Sequence, residues 1–490
     1  MNTNYILMNK NRCLAKIELS SKGRINKILD IYNIEAFPVG IIPNKVITNS
    51  IIEEIRNNLD EWWQGRAIPA SRQGLISMLQ SINIDSTSSL AVKSLGLSLS
   101  DQYWIKPFNS SLIWDNVNFF HNNFSNDIGE AFFNPYFVNE HINFMTPDNT
   151  SDGWLRKKWI IVNNDRCLVK AGSDPYRQEP FNEIIASIIM EKLNTIPFVR
   201  YSLFYDEGQG VCSICKNFIT EDTELVSGYS LSKILPRNNK TSIYEHYLNI
   251  ADKLQIPNMQ DFFDSLIVLD YIIANTDRHH NNFGFIRDIN TMQFLKPAPI
   301  FDSGTSLWHK YSILSNRIGT SIPAQPFFKS HEQQLTLVKD WGKFDFAKLN
   351  ALDEIVHDLL SKNPLIDEKR NLTICKALKE RIELIKLYQA QQSKKYAIDF
   401  DINTLLNKYK SLKFNFETVY YHYKNKFAKD KVKYNPIIDK QILKQILLDG
   451  FSIEQAYRIL IYSPNIKSEK MIDYMYRSLS NNDDTDNIIK

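Results

Sequence analysis

The chain is poor in cysteine and glycine, in net charge and in long apolar runs. Five cysteines in 490 residues cannot form a disulfide framework. They suit the reducing cytoplasm, which is the expected location. Glycine (16) and proline (18) are scarce, and no G-x-G-x-x-G occurs. Basic residues (58) nearly balance acidic ones (55), for a net charge of +3. That balance supplies no strong field toward nucleic acid or an acidic membrane, so no specific nucleic-acid partner is expected. No segment reaches the roughly 20 apolar residues a bilayer span requires. The longest apolar stretches, Ile184–Met190 and Leu266–Ile273, are broken by Ser187 and Asp270. Met1–Cys13 lacks the apolar core of a signal peptide, so no leader is expected. What remains is a globular composition, 43% hydrophobic and 23% charged, with enough length for about three domains.

Periodicity divides the chain into four expected parts. Residues 1–145 open with short strands near Tyr5–Met8 and Leu14–Leu19. Helical patterns at Ile51–Trp63 and Arg72–Gln80 follow, and the whole reads as an α/β accessory domain of unknown role. Residues 146–225 turn to strands. Trp159–Val162 and Arg166–Lys170 flank Asn163-Asn164-Asp165, a hairpin turn. A helix is expected at Glu179–Leu193, then strands at Val199–Tyr205 and Val211–Ile219. Residues 226–395 are helical except for a hairpin between Phe283–Ile286 and Met292–Leu295. Residues 396–490 read as a helical extension, with helices at Ile442–Leu448 and Ile453–Ile461 and a polar tail at Ser480–Asn487. Within it Lys408–Lys444 is rich in Lys and Tyr, a pattern better suited to a solvated helix face than to RNA.

The chemistry concentrates in Ile272–Phe285 and in Ile300–Gly304. Asp277 precedes Asn282 by five residues, and Asp302 follows twenty later across the hairpin. An acid, an amide and a second acid so arranged can hold two Mg²⁺ ions against a nucleotide triphosphate and orient an attacking hydroxyl. Asp277 takes the role of base; Asn282 and Asp302 supply oxygens to the metal. Lys170, at the end of its strand, can reach nucleotide phosphates. Glu183 is the one charge between Glu179 and Glu191, on a helix whose other faces are apolar. Burying it unpaired costs several kcal/mol, and Lys170 is the nearest cation in sequence to pair with it. His279 is expected to brace the loop, because adjacent histidines without a carboxylate or Cys cluster rarely hold zinc. Cys212 and Cys215 form a single C-x-x-C, expected in a buried strand or hinge. Met145–Trp154, with its one glycine Gly153, is placed to cover the phosphates, and Thr150 and Ser151 offer hydroxyls for phosphorylation.

These residues carry a resemblance. Lys170, Gln178-Glu179-Pro180-Phe181-Asn182-Glu183, Asn275 through Asn282, and Phe301-Asp302 together resemble the HipA-like serine/threonine kinases and their CtkA-type branch. Asp277-Arg278-His279 with Asn282 also resembles the D-R-H-x-x-N loop of phosphatidylinositol kinases. The likeness spans roughly Trp154–Gln391. Trp63–Arg72 and Ser98–Trp104 are similar to segments that precede the domain in HipA-like proteins. The resemblance implies an α+β, bilobal protein-kinase-like fold with a small β-rich N-lobe and a helical C-lobe. It implies ATP and Mg²⁺ as cofactors, with Lys170 on the phosphates, Glu183 as its helix partner, Asp277 as base, and Asn282 and Asp302 as metal ligands. Lys216 and Phe218 would lie at the adenine-binding hinge and Gly153 over the phosphates. Ser-Gly after Asp302 and Asn-Thr before Asp277 separate the chain from eukaryotic-type kinases and fit the HipA group.

The function expected is therefore transfer of the γ-phosphoryl group to Ser or Thr hydroxyls of a protein substrate, the chain itself included. Two alternatives stand beside it. One is a lipid or small-molecule kinase, prompted by the D-R-H loop. The other is a non-catalytic nucleotide-binding component of a toxin–antitoxin pair with a partner or antitoxin protein.

Overall fold

Alternating apolar residues at the start of the chain become an antiparallel sheet. Its strands are β1 (Thr3–Asn9), β2 (Arg12–Leu19), β3 (Ile25–Ile31) and β4 (Tyr103–Pro107), in the order β3-β2-β1-β4. The helix Asn49–Arg66 covers one face. Ile55, Leu59 and Trp63, four residues apart, pack against Leu7, Leu14, Ile17 and Ile105. The computed structural model describes residues 3–43, 49–82, 84, 86–134, 136, 137, 139, 141–311, 322–393, 436–448, 456, 459 and 460. They form two units: Met1–Lys310 with Ala324–Ile382, and Tyr311–Pro323 with Glu383–Lys490. In the second, the helix Pro436–Leu448 buries Ile442, Leu443 and Ile446. Most of the expected helix Ile453–Ile461, the Lys/Tyr-rich residues 408–435 and the polar tail lie outside the described residues.

In the first unit a second sheet follows the order expected from sequence. Strands β5 (Lys157–Val162), β6 (Asp165–Lys170), β7 (Ser202–Asp206) and β8 (Gly210–Lys216) run in the order β5-β6-β8-β7. The β5–β6 turn has two residues, Asn163 and Asn164, at φ 50° and 68°. Positive φ at both positions is what the twist of a tight hairpin requires, and asparagine tolerates it. Strand alternation then sorts the side chains. Val169, Cys212 and Ile214 turn to one face and join Ile68, Leu75, Ile128 and Phe132 in a core. Trp159 and Leu168 turn to the other, with Trp104 and Trp114. Residues 1–145 thus share two cores with this sheet. The helix Glu179–Leu193 forms where the sequence predicts it and packs against β8.

A third sheet, β9 (Thr223–Ser227), β10 (Gly284–Asp288) and β11 (Phe294–Pro297), has the order β11-β10-β9. Around it the chain is helical. The helix Met259–Ile273 is buried along most of its length, and an aromatic cluster of Tyr247, Phe262, Phe263, Phe283 and Phe327 locks it in place. The architecture is mixed α+β. Among the described residues no helix is long and apolar enough to cross a membrane, and all five cysteines are free.

Candidate active site

Lys170 ends β6 and is nearly inaccessible, at 5% exposure. Its Nζ lies 2.9 Å from Glu183 Oε1 and 2.7 Å from Asp302 Oδ1. Burial alone would lower the Lys170 pKa, but Asp302 and Glu183 together hold it well above the usual lysine value. Glu183 is equally enclosed, and its second oxygen accepts the Ser303 backbone N–H at 2.8 Å. The helix therefore fixes the lysine and the segment carrying Asp302 at once. Two further helix residues secure that segment. Asn182 donates to the carbonyls of Gly304 (2.8 Å) and Ser306 (2.7 Å), and Gln178 to that of Leu307 (2.9 Å). Gly304 passes so close to Glu179 that a Cβ there would lie 3.3 Å from its carbonyl oxygen.

The loop between the helix Met259–Ile273 and β10 is built around Arg278. Ala274 ends the helix in the left-handed region, at φ 52°. Arg278 is fully buried. Its Nε lies 3.0 Å from Asp270 Oδ2 and its Nη2 3.0 Å from Oδ1. It also donates to the Asn282 carbonyl (2.8 Å), the Asp302 carbonyl (3.2 Å), the Phe301 carbonyl and Ser303 Oγ (2.9 Å). One guanidinium thus joins the loop to the far end of the hairpin, using a planar donor set no lysine could supply. The bracing role expected of His279 is corrected here. Its ring Nδ1 accepts only the Asn281 N–H, at 3.2 Å, whereas His280 bonds the Tyr247 hydroxyl at 2.8 Å. Arg278 and His280 carry the bracing because they point into the protein, and His279 lines the cavity instead.

That cavity, about 740 Å³, is also lined by Gly153, Lys157, Lys170, Tyr201, Lys216, Phe218, Asp277, Asn282 and Asp302. The residues singled out in the sequence converge there, with Glu183 directly behind Lys170. Asn282, at the cavity wall, donates its amide N–H to the Asp277 carbonyl at 2.6 Å, which ties the nitrogen to the loop and leaves the amide oxygen as the group able to accept or coordinate. Burial would raise Asp302, but Lys170, Lys157 and Arg278 hold its carboxyl well below the usual range. Burial raises Asp277, with His279 opposing and Asp302 adding to the effect. One carboxylate is thus held ionised and its neighbour made more basic. An ionised carboxylate and an amide oxygen are hard donors of the kind Mg²⁺ accepts together with water and phosphate.

Other expectations need correction. The Lys216 side chain turns outward and pairs with Asp165, although the residue itself borders the cavity. Phe218 does form part of the wall and packs on Phe301, ring centroids 5.8 Å apart. Thr150 and Ser151 are not open hydroxyls. Thr150 donates to the Leu97 carbonyl at 2.7 Å and Ser151 to that of Asp148 at 2.9 Å, both in buried positions. Cys212 and Cys215 are buried on β8, and burial pushes both thiols up to about 12. Lys157 was missed. Burial, then Arg72 and Lys170, lower it to about 7. The Lys157-Lys158 pair is visible in sequence, but which of the two meets the cavity is decided by packing.

No family model matches the chain. Among curated proteins, the serine/threonine-protein kinase CtkA of Helicobacter pylori strain J99 is 28% identical over 162 residues. The match covers 30% of this chain and 49% of the relative, so it spans about half the relative's length. The crystal structure of a Helicobacter pylori proinflammatory kinase CtkA aligns with a TM-score of 0.39 at 20% identity, over 51% of this chain and 94% of that one. The Shewanella oneidensis MR-1 HipA–HipB toxin–antitoxin complex with operator DNA aligns with a TM-score of 0.46 at 12% identity, over 78% and 97%. By its sequence match, part of this chain is similar to a serine/threonine-protein kinase, CtkA.

Proposed function

We propose that the chain is a HipA-like protein kinase that uses ATP and Mg²⁺ to phosphorylate Ser or Thr hydroxyls, its own included, and that residues 146–225 and 226–395 are the two lobes of its catalytic fold. The observation that carries this reading is the meeting of Lys170, Glu183 and Asp302 with Asp277 and Asn282 at one cavity. A bound Mg²⁺–ATP would supply the transferable phosphoryl group and neutralise charge on its phosphates. The chain's residues do the positioning. Lys170, held rigid by Glu183, offers a fixed positive charge to phosphate oxygens. Asn282 and Asp302 would hold the metal. Asp277, made more basic by burial, orients the acceptor hydroxyl and takes its proton. Phosphoryl transfer asks little covalent chemistry of a protein, so a rigid constellation accounts for most of the catalysis.

Incubating the purified chain with labelled ATP and Mg²⁺, then locating phosphate by mass spectrometry, tests the reading. Asp277→Ala and Asp302→Asn should each reduce transfer by at least about a thousandfold. Undiminished transfer by both variants refutes the assignment. Phosphoinositides offered beside peptide acceptors separate a protein kinase from a lipid kinase.

A further inference from the structure

One buried cation outside the cavity is bonded to both segments that carry its acids. Arg370 lies in the first turn of the helix Glu368–Ser393 and is 7% exposed. Its Nε and Nη2 both donate to Gln178 Oε1, at 3.3 and 2.9 Å. Nη2 also donates to the carbonyls of Trp308 (3.0 Å) and His309 (3.2 Å). The guanidinium lies over the Tyr176 ring, 3.6 Å from its centroid. A planar, forked cation can serve these acceptors and stack on a ring at once, and an ammonium cannot.

Both contacts lead to the site. Gln178 stands at the head of the helix Glu179–Leu193, and its amide donates to the Leu307 carbonyl (2.9 Å) and to Asn182 Oδ1 (3.1 Å). Asn182 holds the carbonyls of Gly304 and Ser306, and Glu183, the next residue, takes Lys170 and the Ser303 N–H. The turn that Arg370 grips has an unfavourable backbone. Leu307 and Trp308 stand in succession at φ 49° and 56°, and both side chains are buried. That region crowds Cβ against the following carbonyl oxygen, so large residues stay there only where their surroundings hold them. Leu307 follows Asp302 by five residues, so a turn that relaxed would carry Asp302 with it.

Resting on the kinase reading above, we infer that Arg370 is a positioning residue for phosphoryl transfer, clamping Gln178 to the turn 307–309 and so holding Glu183 and Asp302 on Lys170. Neither Arg370 nor Gln178 is among the described residues that line the cavity. The clamp therefore acts on the geometry of the acids and not on bound nucleotide.

Single-turnover transfer from labelled Mg²⁺–ATP, to the full-length chain itself and to a mixed Ser/Thr peptide library, tests this beside calorimetric ATP affinity. Arg370→Met should slow transfer about ten- to a hundredfold and change ATP affinity by less than about threefold. Arg370→Lys should stay within about threefold of Arg370→Met, because one ammonium cannot replace the fork. Gln178→Met should also slow transfer, and it carries the test where Arg370→Met folds poorly. The double variant should be within about threefold of the slower single one, because both changes open the same clamp. Amide hydrogens of residues 303–309 should exchange about tenfold faster in Arg370→Met. Thermal melts confirm that folded protein is compared. Unchanged transfer in folded Arg370→Met, losses that multiply in the double variant, or an equal fall in transfer and ATP affinity overturns the clamp and leaves the kinase reading standing. A wild-type chain that transfers no phosphate overturns the kinase reading, and unchanged exchange at 303–309 in Arg370→Met then overturns the clamp as well.

Discussion

Lys158 and Lys170 are buried on opposite faces of one hairpin, each between two carboxylates. Lys158 meets Glu130 and Asp206 at 2.7 and 2.6 Å; Lys170 meets Glu183 and Asp302 at 2.9 and 2.7 Å. Both cages raise the lysine pKa against the effect of burial. Yet Lys158 lies under the ring of Phe133, 4.6 Å from its centroid, where Asp206 also accepts the N–H groups of Gly208 and Gln209. Lys170 borders the cavity that holds Asp277 and Asn282. A lysine between two acids is a general way to bury an ammonium, and the pairing alone carries no chemistry. What separates the two sites is access to space and the presence of further oxygen donors within it.

The comparison breaks most visibly at the lysines themselves. Lys170→Met should reduce phosphoryl transfer per folded molecule by about a thousandfold. Lys158→Met should leave that rate within about threefold, yet lose about 3 kcal/mol of stability in denaturant titrations, because Asp206 would stay buried without its partner. Equal loss of transfer in both variants would show that the cages do not differ in kind.

A smaller effect sharpens the contrast. Asp148 lies near Lys158, accepts the Trp159 N–H at 2.8 Å, and is raised by burial to about 7. The folded protein keeps this proton to near neutrality, whereas the unfolded chain releases it near the usual carboxylate value. Asp148 therefore favours unfolding progressively as pH rises from about 4 to about 7, and adds no further dependence above that. Between pH 5 and pH 7, wild type should lose about 2 kcal/mol relative to Asp148→Asn in paired denaturant titrations. Parallel stability curves for the two proteins would contradict the shift.

Legibility followed the range of the forces involved. The hairpin around Asn163-Asn164 and the helix Glu179–Leu193 were readable because turn chemistry and apolar periodicity act within a few residues. Lys170 and Glu183 could be paired because an acid on an apolar helix needs a cation and few were near. Arg278 stands in plain view within the loop, yet the sequence alone assigns its bracing role to His279. Its partners Asp270, Phe301 and Ser303 are brought to it by the hairpin and the preceding helix, and no local pattern announces them. Arg370, 62 residues beyond the Trp308 carbonyl it bonds, was still less visible.

Local composition alone set the strands, the main helices and the kinds of side chain available for phosphate chemistry. Only the tertiary structure decided that Lys157 faces the cavity while Lys158 is sealed behind it, that Lys216 turns away, and that Arg278 rather than His279 ties the loop to Asp302. The alternation of a strand says that neighbours point to opposite faces. Which face is core and which is cleft depends on what packs against the sheet from distant parts of the chain, and here those parts are residues 1–145 and the segment beyond Phe301.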